Sequence, residues 1–136
     1  MKAIVIGSTG ATGLELIKEL LKDEYFTEIK TFSRSALKIK HQKLTEYLID
    51  FNQIQNHKDE IKGDVLFSAL GTTKKDAGSK EAQYKIDFTY QYEFTKLASD
   101  NGIAKYVLVS SIGANEKSAF FYPKMKGALE EAVKKL

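Results

Sequence analysis

Tyr122 and Lys126 lie four residues apart in "AFFYPKMKGALEEAVKKL", so on a helix their side chains share one face. A lysine ammonium beside a phenol favours the phenolate and lowers the tyrosine pKa. Such a phenol can move a proton on or off a carbonyl oxygen near neutral pH. Just upstream, "YVLVSSIGA" ends an apolar run with Ser110 and Ser111, whose hydroxyls could hold that oxygen. Two common residue types at this spacing also arise by chance. Each residue has a structural reading as well: a tyrosine packed at a helix start, a solvated lysine, a serine capping a strand end.

A second group of residues suits a phosphate rather than a proton. "GSTGATG" places Gly7, Gly10 and Gly13 three apart, after an apolar run and before a helical pattern. A turn from strand to helix at the carboxyl edge of a parallel sheet points backbone N–H groups and the positive helix end outward. A phosphate binds there when no side chain intervenes, which calls for glycine. The usual dinucleotide fingerprint is G-x-G-x-x-G, whereas this chain has G-x-x-G-x-x-G. A nucleoside triphosphate loop would require Gly-Lys-Ser/Thr, and Gly13 is followed by Leu14, so that reading fails. A plain tight turn, with small residues for helix–sheet packing, is the alternative.

Dinucleotide sites usually carry an acidic residue after the second strand, where it binds ribose hydroxyls. In "EIKTFSRSALK" that place holds Ser33, Arg34 and Ser35. A guanidinium and hydroxyls suit a 2′-phosphate, because arginine grips phosphate oxygens through parallel hydrogen bonds. The residues therefore favour NADP(H), with NAD(H) as the other option. A solvent-facing loop arginine is the alternative.

The elements that must position these groups alternate along the chain. Strand-length apolar runs are Lys2–Ile6, Glu28–Phe32, Tyr47–Asp50, Val65–Ala69 and Tyr106–Ser110. Their near-continuous apolar character suits a sheet covered on both faces. Leu14, Ile17 and Leu21 form a helical stripe, with Thr12 placed to cap its start. A long helix is expected over Gln83–Asp100, carrying Ile86, Tyr90 and Leu97, and stopping at Asn101-Gly102. A last helix carries Met125, Leu129, Val133 and Leu136, with Pro123 expected at its first position. The alternation predicts right-handed βαβ units: an α/β Rossmann-type doubly wound parallel sheet of about five strands, helices on both faces. Tyr-Lys pair, serine pair and glycine corner then fall at one edge of that sheet.

Composition narrows the function classes. With 136 residues and 43% hydrophobic content the chain reads as one domain over residues 1–136, with a real core. No apolar stretch approaches a membrane span and the first is too short for a signal-peptide core, so no membrane partner is expected. The absence of cysteine removes disulfides, thiolate catalysis and most zinc sites, and fits a cytoplasmic protein. His41 and His57 have no ligand spacing around them, so no metal is expected. The net charge of +3 is interspersed and has no basic cluster interleaved with aromatics, which argues against nucleic acid. Lys74, Lys75 and Lys80 read as a solvated loop, with a lid over a ligand as the lesser alternative. The aromatics of "YKIDFTYQYEF" exceed what one helix buries, which suggests a homodimer face.

Taken in order, "GSTGATG", "SRS", "LIDF", "SALGTT", "VSSIGA" and "FFYPKMKG" make the chain resemble a short-chain dehydrogenase/reductase. It is similar to the atypical NAD(P)-binding branch that includes the Tat-interacting oxidoreductase-like proteins. The resemblance implies an oxidoreductase acting on a small-molecule carbonyl or alcohol, or else a cofactor-binding sensor without turnover. It also implies that Gly7, Thr9, Gly10, Ala11, Thr12 and Gly13 wrap the diphosphate. Arg34 and Ser35 would take a 2′-phosphate, Asp50 and Phe51 would sit by the adenine, and Leu70 and Gly71 would line the cofactor's path. Tyr122 would be the proton donor, Lys126 would hold the nicotinamide ribose, and Ser111 (or Ser110) would orient the substrate carbonyl. The family continues past the Tyr-Lys helix, so this chain is expected to lack the C-terminal strand and substrate lobe.

Overall fold

A computed structural model of the chain describes residues 1–8, 10–70, 78–108 and 121–136, and of these the side chains of residues 11 and 121–127 are not described. The strands are β1 (Lys2–Ile6), β2 (Glu28–Ser33), β3 (Leu44–Leu48), β4 (Val65–Ser68) and β5 (Lys105–Leu108). The helices are α1 (Ala11–Lys22), α2 (Lys80–Tyr84), α3 (Gln91–Asp100) and α4 (Phe121–Lys134). A 3₁₀ helix at Phe51–His57 follows β3, and a π-helical turn, Lys85–Tyr90, joins α2 to α3.

All strand pairs are parallel, and the sheet order is β3-β2-β1-β4-β5. Alternation along β1 explains why both faces are covered. Ala3 and Val5 pack under α1 with Ile17, Leu20 and Ile29. Ile4 and Ile6 join Phe32, Leu66, Phe94, Leu97 and Ala98 on the other face, where α3 lies. Phe32 is stacked on Tyr47 at 4.9 Å and meets Phe94 edge-on at 5.2 Å. Truncation of so enclosed an aromatic to alanine costs about 3–5 kcal/mol. The expected doubly wound α/β sheet is the fold.

Some local expectations shift. β3 lies earlier than Tyr47–Asp50, because it is an edge strand whose register with β2 runs from Leu44 opposite Ile29 to Leu48 opposite Ser33. An edge strand need not be apolar throughout; the apolar signal came from Ile49 and Phe51, which continue past the strand into the core. Thr12 is not the cap of α1, which begins at Ala11 with Gly10 as its N-cap. Pro123 stands at the third residue of α4 rather than the first, still within the turn whose N–H groups have no intrahelical partner. The long helix begins earlier, at Lys80, where the Ser79 hydroxyl accepts the Ala82 N–H at 3.1 Å. It ends as expected at Asn101-Gly102, with Gly102 at φ +87°.

Candidate functional site

Strand order reverses between β1 and β4, the switch point outside whose carboxyl ends open α/β sheets bind ligands. Ile6 and Ser68 are register partners, so the loops after these two strands leave the sheet side by side. They touch. Gly7 adopts φ +79°, and a Cβ placed on it would lie 2.3 Å from the Ala69 carbonyl carbon and the Leu70 nitrogen. A Cβ on Gly13 would lie 1.9 Å from the Gly7 carbonyl oxygen. Backbone contact therefore forbids a side chain at both positions. Gly10 differs, since its nearest neighbour would be the Gly7 oxygen at 3.8 Å, an ordinary contact.

Gly10 leaves the start of α1 bare. Its own N–H turns back to the Gly7 carbonyl at 3.4 Å, and its carbonyl accepts the Leu14 N–H at 2.8 Å. Among the described residues no side chain caps the helix, and no acidic residue stands in its first turn. The N–H groups of that turn and the positive end of the helix dipole are thus available to an anion.

A cleft of about 200 Å³ opens over this corner, lined by Gly7, Gly10, Phe32, Ser33, Arg34, Ser35, Phe51, Ala69, Leu70, Ile86 and Tyr90. At the β2 end the Ser33 hydroxyl donates to the Ser35 carbonyl at 2.7 Å and closes a short turn with Arg34 at its apex. Ser33 is buried, so only one of the two hydroxyls expected there, that of Ser35, faces solvent. Arg34 is exposed and makes no ion pair or hydrogen bond among the described residues. Phe51 stacks on Tyr90 with centroids 5.5 Å apart, and the Tyr90 hydroxyl donates to Asn52 Oδ1 at 2.9 Å. One cleft thus joins a bare helix start, an aromatic and aliphatic wall, and a cation at the rim. That set fits an adenine dinucleotide: diphosphate on the helix start, adenosine along the wall.

The expected site residues divide into three groups. Gly7, Gly10, Arg34, Ser35, Phe51 and Leu70 line the cleft together. Thr12, Gly13 and Asp50 do not line it. Thr12 is exposed on the first turn of α1, Gly13 is buried beneath Gly7, and the Asp50 carboxylate accepts the Asn52 N–H at 2.9 Å to cap the 3₁₀ helix. Thr9, Gly71, Ser110, Ser111, Lys74 and Lys75 lie outside the described residues, as do the side chains of Ala11, Tyr122 and Lys126. The backbone of α4 carries Tyr122 and Lys126 in its first two turns. Phe32, Ala69, Ile86 and Tyr90 are lining residues that the sequence did not single out for the site. Ile86 and Tyr90 stood on the helical stripe, where a core role and a wall role look alike.

The family model described as NAD(P)H-binding matches residues 7–135. The chain belongs to this NAD(P)H-binding family. Among similar proteins, "Protein FMP52, mitochondrial" of Meyerozyma guilliermondii is 40% identical over 98% of this chain and 58% of its own length. Its namesake from Debaryomyces hansenii is 39% identical over 98% and 60%. The chain thus spans about three-fifths of the length of these curated relatives. Among solved structures, WbmG of Bordetella bronchiseptica in complex with NAD superposes with a TM-score of 0.79 at 15% identity, covering 99% of this chain and 49% of that one. The oxidoreductase YlbE of Lactococcus lactis gives 0.78 at 19% identity, over 99% and 64%. These likenesses are of fold, and they agree with the resemblance to short-chain dehydrogenases.

The expectation of a cytoplasmic protein does not stand. The FMP52 relatives are named mitochondrial, which points away from the cytoplasm. Lack of cysteine excludes structural disulfides and says nothing further about compartment. Among the described residues no helix is long and apolar enough to cross a membrane.

Proposed function

We propose that this chain forms the cofactor-binding part of an NADP(H)-dependent oxidoreductase that interconverts a carbonyl and an alcohol. The observation that carries the reading is the pairing of the glycine-capped α1 start with Arg34 and Ser35 at the rim of the same cleft. A guanidinium at the end of β2 with no partner among the described residues, where an acid would repel the 2′-phosphate, favours NADP(H) over NAD(H). Gly10 and the N–H groups of Ala11, Thr12 and Gly13 hold the diphosphate in this reading. Phe51 and Tyr90, stacked on each other, form the wall beside the adenosine, and Leu70 and Gly71 border the path toward the nicotinamide, whereas Asp50, turned to cap the 3₁₀ helix, takes no part.

The bound nicotinamide supplies or takes the hydride. The chain's own residues handle the proton and the geometry. Tyr122 gives the proton to, or takes it from, the substrate oxygen through its phenol. Lys126, one helical turn on, favours the phenolate and holds the ribose, and Ser111 donates a hydrogen bond to the substrate oxygen. These three roles rest on the resemblance and on the placement of Tyr122 and Lys126 at the start of α4.

The test is NADPH oxidation against a panel of aldehydes and ketones, with the wild type and Tyr122→Phe compared. Turnover that falls at least 100-fold in Tyr122→Phe, with NADPH affinity kept within about two-fold, is expected from loss of a general acid worth roughly 10²–10⁴. Unchanged turnover removes the phenol from the mechanism. NADPH binding with no turnover on any carbonyl replaces the enzyme reading with that of a binding module.

A further inference from the structure

Gln91 is fully buried, and its side chain does more than fill space. Its amide nitrogen donates to the Leu70 carbonyl at 2.8 Å and to the Asp87 carbonyl at 2.7 Å. Its amide oxygen accepts the Ser68 hydroxyl at 2.5 Å. Two carbonyl acceptors on one side and a hydroxyl donor on the other fix the amide's orientation, because a flip would set oxygen against oxygen. Within α3 the Thr95 hydroxyl donates to the backbone carbonyl of Gln91 at 2.7 Å, a bond separate from those of the side-chain amide.

The three partners of the amide belong to the elements that wall the cleft on the β4 side. Leu70 is a lining residue, and its nitrogen is packed against Gly7. Asp87 lies inside the π turn that contributes Ile86 and Tyr90. Ser68 is the last residue of β4. One buried amide therefore pins the strand end, the loop after it and the opposing helical turn at fixed separations. A π turn inside an α-helix is itself a frequent mark of a functional position. The β2 side of the cleft, with Arg34 and Ser35, makes none of these bonds.

We propose that Gln91 is a positioning residue for the dinucleotide, setting the gap between the Leu70 loop and the π turn through which the cofactor passes beyond its diphosphate. The inference rests on the dinucleotide reading of the cleft. It assigns Gln91 no contact with cofactor or substrate, since the side chain is enclosed and its donors are both in use. An apolar or anionic replacement leaves the two carbonyls facing each other without a donor, and the loop and turn separate.

The experiment compares two probes on the full chain by calorimetric titration, with thermal melting to check folding. NADPH spans the cleft, whereas adenosine 2′-phosphate reaches only the Arg34 end. In Gln91→Leu the NADPH dissociation constant is expected to rise about ten-fold, while that of adenosine 2′-phosphate stays within about two-fold. Equal losses for the two probes would reduce Gln91 to a general structural role and overturn the proposal, as would no loss for either. Should Gln91→Leu fail to fold, Ser68→Ala removes the hydroxyl that orients the amide. There the same split is expected at about three-fold, and its absence overturns the proposal. Failure of the underlying reading looks different, because the wild type itself then binds neither probe.

Discussion

After β1 the chain turns on glycines; after β4 it turns on a buried side-chain amide. At the first corner backbone touches backbone, with Gly13 under Gly7 and Gly7 against Leu70, and among the described residues no side chain guards the helix start. At the second corner Gln91 holds Leu70 and Asp87 by hydrogen bonds from within the core. In the proposed function the first surface would recognise an anion through main-chain groups, and its specificity would lie in what has been left out. The second is tied by a side chain that does not line the cleft. A substitution at the first corner therefore acts by filling space, and one at the second by removing a tether.

Substituting the glycines in turn breaks the first corner selectively. Gly13→Ala forces a Cβ to 1.9 Å from the Gly7 oxygen, where neither backbone can yield without moving the strand or the helix. A loss of about 3 kcal/mol is expected, at the upper end for overpacking, with a melting temperature lower by about 10 °C. Gly10→Ala meets nothing closer than 3.8 Å among the described residues, so melting should shift by less than about 3 °C while NADPH binding weakens. Equal destabilisation by the two would mean that Gly10, too, is bare for packing alone. Calorimetric melting of both variants decides it.

Arg34 sharpens the comparison at the rim. It is exposed and unpaired among the described residues, so Arg34→Ala should leave melting unchanged within about 0.5 kcal/mol. Loss of a charge-assisted grip on the 2′-phosphate should weaken NADPH about ten- to 150-fold, from roughly 1.5–3 kcal/mol for a hydrogen bond to a charged group. NADH affinity should not change. Parallel titrations with the two nucleotides read this directly, and a matching loss for NADH would move Arg34 from the phosphate to the fold.

The smallest effect is expected at Ser8, within the glycine corner itself. Its hydroxyl is fully buried and has no hydrogen-bond partner among the described residues. Ser8→Ala removes an unsatisfied polar group, so stability should stay level or rise by up to about 1 kcal/mol in a denaturant titration. A clear loss would mean that the hydroxyl bridges the corner after all.

How much of this was legible depends on what each feature leaves in the sequence. The glycine corner announces itself because glycine is the only residue type that fits φ +79° beside a Leu70 nitrogen at that distance. The apolar strands were placed within a residue or two, except β3, whose edge position frees it from the buried-strand pattern. Arg34 stands out in the sequence because a known ligand chemistry lacks its usual acid there, and the structure puts it on the cleft's rim. Gln91 left no signal, since a lone glutamine within a helical period looks like a solvated position. The π turn was equally silent; it shifts helical phase by one residue without any proline or glycine to mark it. For the same reason Ile86 and Tyr90 read as core, although both border the cleft. Compartment was misjudged because cysteine content bears on redox state and not on address.

Thermal melting of the unmodified chain with NADPH and NADH in separate samples tests most directly whether the β1–α1 corner is a dinucleotide seat that prefers a 2′-phosphate. At about 100 times its dissociation constant NADPH should add roughly 2.7 kcal/mol and raise the transition by several degrees, with NADH at the same concentration giving a clearly smaller rise. No shift with either nucleotide contradicts the seat itself, and equal shifts contradict the preference assigned to Arg34.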